Sequence, residues 1–352
     1  MSSGLNQPML PPASLPGDPA GLARTVLELT RTLGFATAGI AAAAPSTEES
    51  RYRQWIAAGK HGEMDYLATQ ADARVDVSRE LPGCRSVLLV AEQYAPRGSP
   101  PVPAPPGHGK VARYARGRDY HLTIKQRLHR LADTLRSRWP EHQFRSFADT
   151  APILEREQAV RCGIGWIGKH TLVINPRLGS YFLLGGMLTT MDWQPTRPAA
   201  EQPDGLPPLI TDSTDRCGSC TRCIDACPTG AITPYSVDAR RCVSYLTIEH
   251  RSPTLPMPLP HDDRWIYGCD ICQEVCPHNT ARGWETPIGS DFATSRAAAL
   301  ASLDLAAIMA WDQPAKAAAV EGTPMRRTKL EQFQRNARML QSRQSPPIPP
   351  SI

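Results

Sequence analysis

The sequence predicts an α+β protein in two successive parts, a mixed domain of nearly 200 residues and a small cysteine-rich domain, with a short helical segment closing the chain. Three observations lead there. Apolar residues recur alternately at helix and strand spacing over residues 21–200. Eight of the ten cysteines crowd between residues 217 and 276. Beyond residue 286 the pattern is helical alone. With 352 residues and 41% hydrophobic content, the chain can bury a full core.

The first 20 residues are rich in Pro, Ser and Gly and read as a loose tail, with neither the apolar core of an export signal nor a twin arginine. No apolar run approaches the ~18 residues of a membrane span. Grouped cysteines in an unexported chain fit metal binding in a reducing cytoplasm, so a cytoplasmic protein without membrane contact is expected. Asp18-Pro19 opens a helix whose Leu22, Val26, Leu29 and Leu33 share one face, and Gly34 ends it. Ser46 and Glu49 form a capping box before a second helix through Trp55 and Ile56. The run Val87-Leu88-Leu89-Val90 reads as a central strand. A Pro-rich loop, too stiff for regular structure, spans Arg97 to Lys110, and a long helix follows from Tyr120 to Trp139. Gln143 to Ala148 reads as a strand and Pro152 as the start of the next helix, which sets Asp149 at a strand-to-helix corner. Thr171 to Thr189 reads as a hairpin about Asn175 to Gly179. Residues 193–215 form a linker, and Ala297 to Ala310 and Met325 to Gln341 read as helices before a frayed end.

The cysteines carry the clearest chemistry. Cys217, Cys220, Cys223 and Cys227 with Pro228 follow C-x2-C-x2-C-x3-C-P, in which three thiolates hold one 4Fe-4S cube and the fourth serves another. Cys269, Cys272 and Cys276 with Pro277 supply the second run, and Cys242 lies between them. The motif pairs Cys217, Cys220 and Cys223 with Cys276, and Cys227 with Cys242, Cys269 and Cys272: a ferredoxin-like domain with two clusters over residues 205–285. Zinc has no use for this rhythm, and disulfides would want an export signal.

Other patterns are weaker. Gly163, Gly165 and Gly168 match G-x-G-x-x-G, but they follow a helix and precede a strand, the reverse of a dinucleotide site, and no acid lies ~20 residues on. With Lys169 they nearly spell a phosphate loop, yet His170 stands where a magnesium-holding hydroxyl belongs. Cys84 and Cys162 read as buried thiols. The net charge of +5 is modest, but arginines crowd residues 113–138, including Arg113, Arg116 and Arg118, and residues 326–338. Either cluster alone reads as a solvated helix face.

Taken together, Arg113 to His121, Asp149 to Glu155, Gly165 to Leu172 and the cysteine pattern resemble the epoxyqueuosine reductases, with a weaker echo in Gly322 to Arg327. The resemblance covers residues from about 50 to 285. It implies that residues 21–200 bind cobalamin in its base-off form. Asp119-Tyr-His121 meets the usual cobalamin signature only in part, because Ile124 replaces its Gly. The implied reaction is removal of the epoxide oxygen from epoxyqueuosine at the tRNA wobble position, the last step of queuosine synthesis. It further implies Asp149 as general acid with a raised pKa, and Asp149, Lys169, His170, Asp270 and Ile271 as cofactor contacts. Arg113, Arg116 and Arg118 then become RNA contacts. The expected protein is a monomer fed by an external one-electron donor of the ferredoxin or flavodoxin type. Residues 286–352 mostly lack the helical-repeat domain of longer members. A cytoplasmic enzyme like the reductive dehalogenases and a ferredoxin-like electron-transfer subunit are the alternatives; cobalamin content separates the second at once.

Overall fold

The structure, a computed structural model, describes residues 19–193, 216–259, 264–280 and 295–342. The N-terminal tail, Asp18, the linker and the Pro-rich end lie outside these residues.

The first part runs α1 (Pro19–Thr32), β1 (Thr37–Ala42), α2 (Glu49–Ala57), α3 (Asp65–Thr69), α4 (Ala71–Val75), β2 (Ser86–Gln93), β3 (His108–Val111), α5 (Tyr120–Arg138), β4 (Phe144–Phe147), α6 (Glu155–Arg161), β5 (Trp166–Ile167), β6 (Val173–Ile174) and β7 (Phe182–Thr189). Four strands form an antiparallel sheet in the order β1-β2-β7-β4. β2 is central and buried throughout, because both faces of the sheet are covered. Leu88 and Val90 pack with Met187 under α1 and α5, whereas Val87 and Leu89 pack with Ile153, Ala159 and Leu188 toward α6. That double burial explains the unbroken apolar run. β7 presses close on its neighbours. A Cβ on Gly186 would drive into the Leu88 carbonyl and the Phe147 ring.

The second part runs α7 (Arg222–Asp225), β8 (Ile232–Thr233), β9 (Ser236–Val237), α8 (Val243–Ile248), β10 (Trp265–Tyr267), α9 (Ile271–Glu274) and α10 (Pro277–Thr280). Then come α11 (Ser295–Ala299), β11 (Ser302–Asp304), α12 (Leu305–Ala310), α13 (Gln313–Ala319) and α14 (Leu330–Gln341).

Several expectations are corrected. The capping box does not form: Ser46 donates to Glu157 and accepts the Glu48 amide, and Glu48 occupies the cap of α2 without a side-chain bond. The Pro-rich loop ends in a strand, β3, which is the centre of a three-stranded sheet, β10-β3-β11. This sheet joins the first part, the cysteine region and the C-terminal segment. All three also share a core of Val111, Leu246, Ile266, Leu305 and Phe333. Asn175 and Gly179 do make a turn, but the strands flanking it diverge, β6 to β5 and β7 to the main sheet. The alanine-rich helix is broken at Ser302–Asp304 by β11, and the last helix starts only at Leu330, after a 3-10 turn at Pro324–Arg327. The helix expected at Pro152 starts at Glu155.

Candidate active site

Two short helical turns, α7 and α9, each carry one cysteine, Cys223 and Cys272, and the other six lie in the loops around them. All eight thiols are free and buried or half-buried. Cys223 faces Cys276, Cys217 and Cys220. Cys242 faces Cys227, and Cys272 faces Cys242 and Cys227, with Cys269 beside Cys272 and Cys242. Cys272 also feels Cys223, so the eight thiols lie in one neighbourhood. No three His, Cys, Asp or Glu side chains among the described residues converge on a point that one metal ion could occupy. Burial, then the neighbouring thiols, push Cys223 up to about 11 and raise Cys272 and Cys269 as well. Crowded thiols of this kind give up their protons when a metal takes their place. The donor set fits two iron-sulfur cubes.

The glycine run covers the first group. β5 and β6 form a tight hairpin in which a Cβ on Gly165 would strike the Ile174 carbonyl, so the glycines serve close packing. Trp166 and Ile174 lie against Cys276 and Cys217. Lys169 Nζ donates to the carbonyls of Gly218 (2.5 Å) and Cys220 (3.1 Å), which fixes the cysteine loop.

The second centre is an acid corner at the edge of the main sheet. β4 ends at Phe147 and Asp149 adopts φ +60°, a left-handed conformation that few L residues other than Asn and Asp accept. Its amide donates to Glu155 Oε1 at 2.6 Å, on the first turn of α6. Asp149 Oδ2 lies 2.8 Å from His121 Nε2, and His121 Nδ1 lies 2.6 Å from Asp119 Oδ1. Asp119 caps α5 by accepting the His121 amide. Its other oxygen accepts Arg326 Nε at 3.1 Å, and its own amide donates to the Gly322 carbonyl.

These groups line a cleft. Asp149 has a side chain 56% exposed and Arg156 is exposed, yet protein surrounds both closely enough for desolvation to be the first influence on each. Tyr66 and Glu249 feel the charge of Asp149, and Arg156 feels Asp149, Cys272 and Cys242, which places Arg156 between the acid corner and the second cysteine group.

The protonation pattern corrects an expectation. Burial opposes the charge of Asp149, but the His121 hydrogen bond and charge, Arg327 and Tyr120 outweigh it and lower its pKa. Burial likewise disfavours charged His121, but its bonds to Asp119 and Asp149 raise its pKa. Asp149 therefore holds a proton less tightly, and His121 more tightly, than each would alone, and the proton between them belongs to the pair. The neutral carboxyl in the cleft is Glu155, which burial and the nearby Asp149 charge push up to about 8.

Other predicted residues stand elsewhere. His170 is buried; its Nδ1 accepts the Leu172 amide, and burial with Arg156 and His278 lowers it to about 4, so it is neutral. Asp270 is 1% exposed and accepts the Arg113 amide at 2.8 Å, while Ile271 is in the core. Lys169, Asp270 and Ile271 thus have their side chains in backbone contacts and packing. Arg113 and Arg116 turn their guanidinium groups into the protein. Arg113 is 7% exposed beside Asp270 and Glu274, and Arg116 donates twice to the Val111 carbonyl. Arg335 is equally buried, on the carbonyls of Leu246, His250 and Ser252. Arg118 alone of the predicted three is exposed. Sequence reasoning missed His121 and Glu155. The first could have been found from Asp-x-His at the start of α5, where a cap and a first-turn side chain share one face.

Comparison with known proteins follows this geometry. Residues 216–279 match the family described as "4Fe-4S double cluster binding domain", and residues 74–150 match "Epoxyqueuosine reductase QueG, DUF1730". An epoxyqueuosine reductase of Pseudomonas aeruginosa is 38% identical over 326 residues, covering 91% of this chain and 85% of the relative. That of Escherichia coli is 36% identical over 317 residues, covering 89% and 79%. Among solved structures, an epoxyqueuosine reductase with a tRNA-Tyr epoxyqueuosine-modified stem loop is 27% identical with a TM-score of 0.75, covering 92% of this chain and 81% of the other. One from Bacillus subtilis, with an aspartate catalytic loop swung out of the active site, is 26% identical with a TM-score of 0.74, covering 92% and 82%.

Proposed function

This chain belongs to the epoxyqueuosine reductase family, and from that premise we propose that the cleft between Asp149 and the second cysteine group is where the epoxide of a tRNA-borne epoxyqueuosine is reduced. The observation that carries the reading is the meeting of a proton-holding His121–Asp149 pair with a set of eight thiols, Arg156 lying between them. Two 4Fe-4S clusters deliver electrons singly, and cobalamin in the cleft, when bound, supplies a strongly nucleophilic reduced cobalt. The chain's own task is to bind, orient and protonate. His121 Nε2 holds a proton against Asp149 Oδ2, and Asp149, facing the cleft, passes it to the oxygen released from the epoxide. Asp119 fixes the imidazole through Nδ1, and Arg326 fixes Asp119. Asp149 thus acts as general acid without a raised pKa of its own.

The RNA surface is reassigned to cations that flank the corner: Arg118, Lys125 at Thr150, and Arg326 and Arg327, which are 51% and 42% exposed. The swung-out loop of the Bacillus subtilis enzyme supports reading the Asp149 segment as the part that moves as RNA enters. A one-electron donor and a cytoplasmic setting complete the proposal. Protein purified without oxygen should carry one cobalamin and about eight irons. It should also convert an epoxyqueuosine-bearing stem loop to queuosine, read as the loss of one oxygen by nucleoside mass spectrometry. Full cofactor content without that conversion refutes the substrate; absence of cobalamin refutes the cleft's occupant.

A further inference from the structure

Reducing an epoxide to an alkene takes two electrons, and iron-sulfur clusters accept them one at a time, so a one-electron donor has to visit this chain twice in each turnover. The two cysteine runs differ in what surrounds them. Around Cys269 and Cys272, the residues Gly268, Asp270, Ile271 and Gln273 are all buried. Around Cys217 and Cys220, the residues Arg216, Gly218, Ser219, Thr221 and Arg222 are all exposed. Arg156 ties the second group to the acid corner, while the first group lies just under the surface. Electrons therefore enter at the first group.

We propose that the basic rim of the first cysteine loop is the docking surface for the electron donor, and that the donor is a small acidic protein of the flavodoxin type; this rests on the function proposed above. The charges of the rim are held in place. Arg216 lies over the Trp166 ring, its guanidinium 5.5 Å from the ring centre, and Trp166 packs on Cys217 and Cys276. Lys169 rests its ammonium on the carbonyls of Gly218 and Cys220, which take its hydrogen bonds without cancelling its charge. Arg222 is exposed on α7, next to Cys223. The Tyr235 amide donates to the Lys169 carbonyl at 3.1 Å, and Arg51 lies over the Tyr235 ring at 5.8 Å, which extends the rim. Against these cations stand Asp225, which accepts the Thr221 hydroxyl at 2.7 Å, and Glu48, 3.5 Å from Arg51.

At each visit one electron passes from the reduced flavin of the donor to the nearer cluster, and the donor leaves oxidised by one electron. Electron-transfer encounters of this kind bury less than about 1,200 Å², and opposite charge steers them and sets their orientation. A rim of fixed cations around the entry point meets that need. RNA also seeks cations, but its epoxide has to reach Asp149. The cations there, Lys125 at Thr150 and Arg326 at Asp119, are different residues from those of the rim.

The test is Arg216→Glu with Arg222→Glu in the iron- and cobalamin-loaded protein. The bimolecular rate of cluster reduction by flavodoxin hydroquinone, followed by bleaching of the iron-sulfur absorbance, should fall ~10-fold or more at low salt and lose most of its salt dependence. Binding of oxidised flavodoxin should weaken in step. Reduction by photogenerated 5-deazariboflavin radical, a small uncharged reductant, should keep its wild-type rate, and stem-loop affinity and iron content should not change. If the double variant loses iron, Arg222→Glu alone decides by the same measurements. Undiminished flavodoxin binding and reduction in a variant with full iron overturns the inference, as does a wild type that flavodoxin neither binds nor reduces. A variant that keeps its response to flavodoxin but loses stem-loop affinity overturns it too, and gives the rim to RNA. A wild type that flavodoxin reduces with this dependence on Arg216 and Arg222, yet that leaves epoxyqueuosine intact, upholds the docking surface and refutes the reaction proposed above.

Discussion

The two ends of the cleft build their chemistry in opposite ways. At the cysteine end the candidate ligands come from two runs of C-x2-C type with a single addition, Cys242, so most of them are near neighbours in the chain. At the acid end, Asp119, His121, Asp149, Glu155 and Arg326 come from α5, a loop, α6 and the C-terminal segment, and only the folded sheet makes them neighbours. A metal site needs several identical ligands at fixed spacing, so its residues recur in sequence. Proton transfer needs unlike groups whose acidities are set by surroundings, and nothing obliges those groups to be close in the chain.

The largest effect that would sharpen this contrast is at Cys242. Cys242→Ala removes the one ligand that neither run can replace, so iron should fall from about eight to about four per chain, and epoxide reduction should be lost. The first cysteine group, with Cys276, should keep its cluster signal. Loss of both clusters would show that the cysteine end is as interdependent as the acid end and break the comparison.

Next in size is Asp149→Asn. Asn tolerates the left-handed backbone and leaves the amide bond to Glu155, but it cannot carry the proton, so kcat should drop by ~100-fold with both clusters and cobalamin retained. Near-normal turnover would remove Asp149 from the proton path and leave it as a loop residue.

These two predictions also mark what was legible. The gathering of the cysteines needed only spacing, and the central strand β2 only its apolar run. Asp149 was legible as a corner, but its acidity was not, because the lowering influence is His121, 28 residues away. The basic segment at Arg113 was misread for a related reason. Composition records charge but not direction, and Asp270, whose carboxylate turns Arg113 inward, lies 157 positions on. β3 escaped notice since its partners, β10 and β11, come from far downstream and a four-residue strand after Pro-rich chain has no periodicity to display.

A smaller effect is expected at His121. Its folded pKa is raised above the ordinary 6.5, so the stability from its protonated form is complete below the unfolded value and lost as pH rises through the folded one. Wild-type melting temperature should decline with pH above 6.5 for this reason. His121→Asn should flatten that decline and slow turnover by roughly 10-fold, less than Asp149→Asn, because water can still reprotonate a carboxylate that faces the cleft. An unchanged pH slope would mean that His121 carries no proton in the folded protein.

The smallest effect separates the two kinds of arginine. Arg118 is exposed and Lys125 donates to Thr150 beside Asp149, whereas Arg113 and Arg116 face Asp270, Glu274 and the Val111 carbonyl. A cation that contacts phosphate releases a counterion, and neutralising it lowers the log-log salt slope of binding by about one unit. A cation enclosed by protein releases none. Arg118→Gln with Lys125→Gln should therefore reduce the slope for stem-loop binding by about two units at most, with iron content and melting temperature unchanged. Arg113→Gln should leave the slope alone and lower the melting temperature, since it strips Asp270 and Glu274 of a buried partner. If Arg113→Gln instead flattened the salt dependence in a stably folded protein, RNA binding would have to turn Arg113 outward, and the division between packed and RNA-facing arginines would fail.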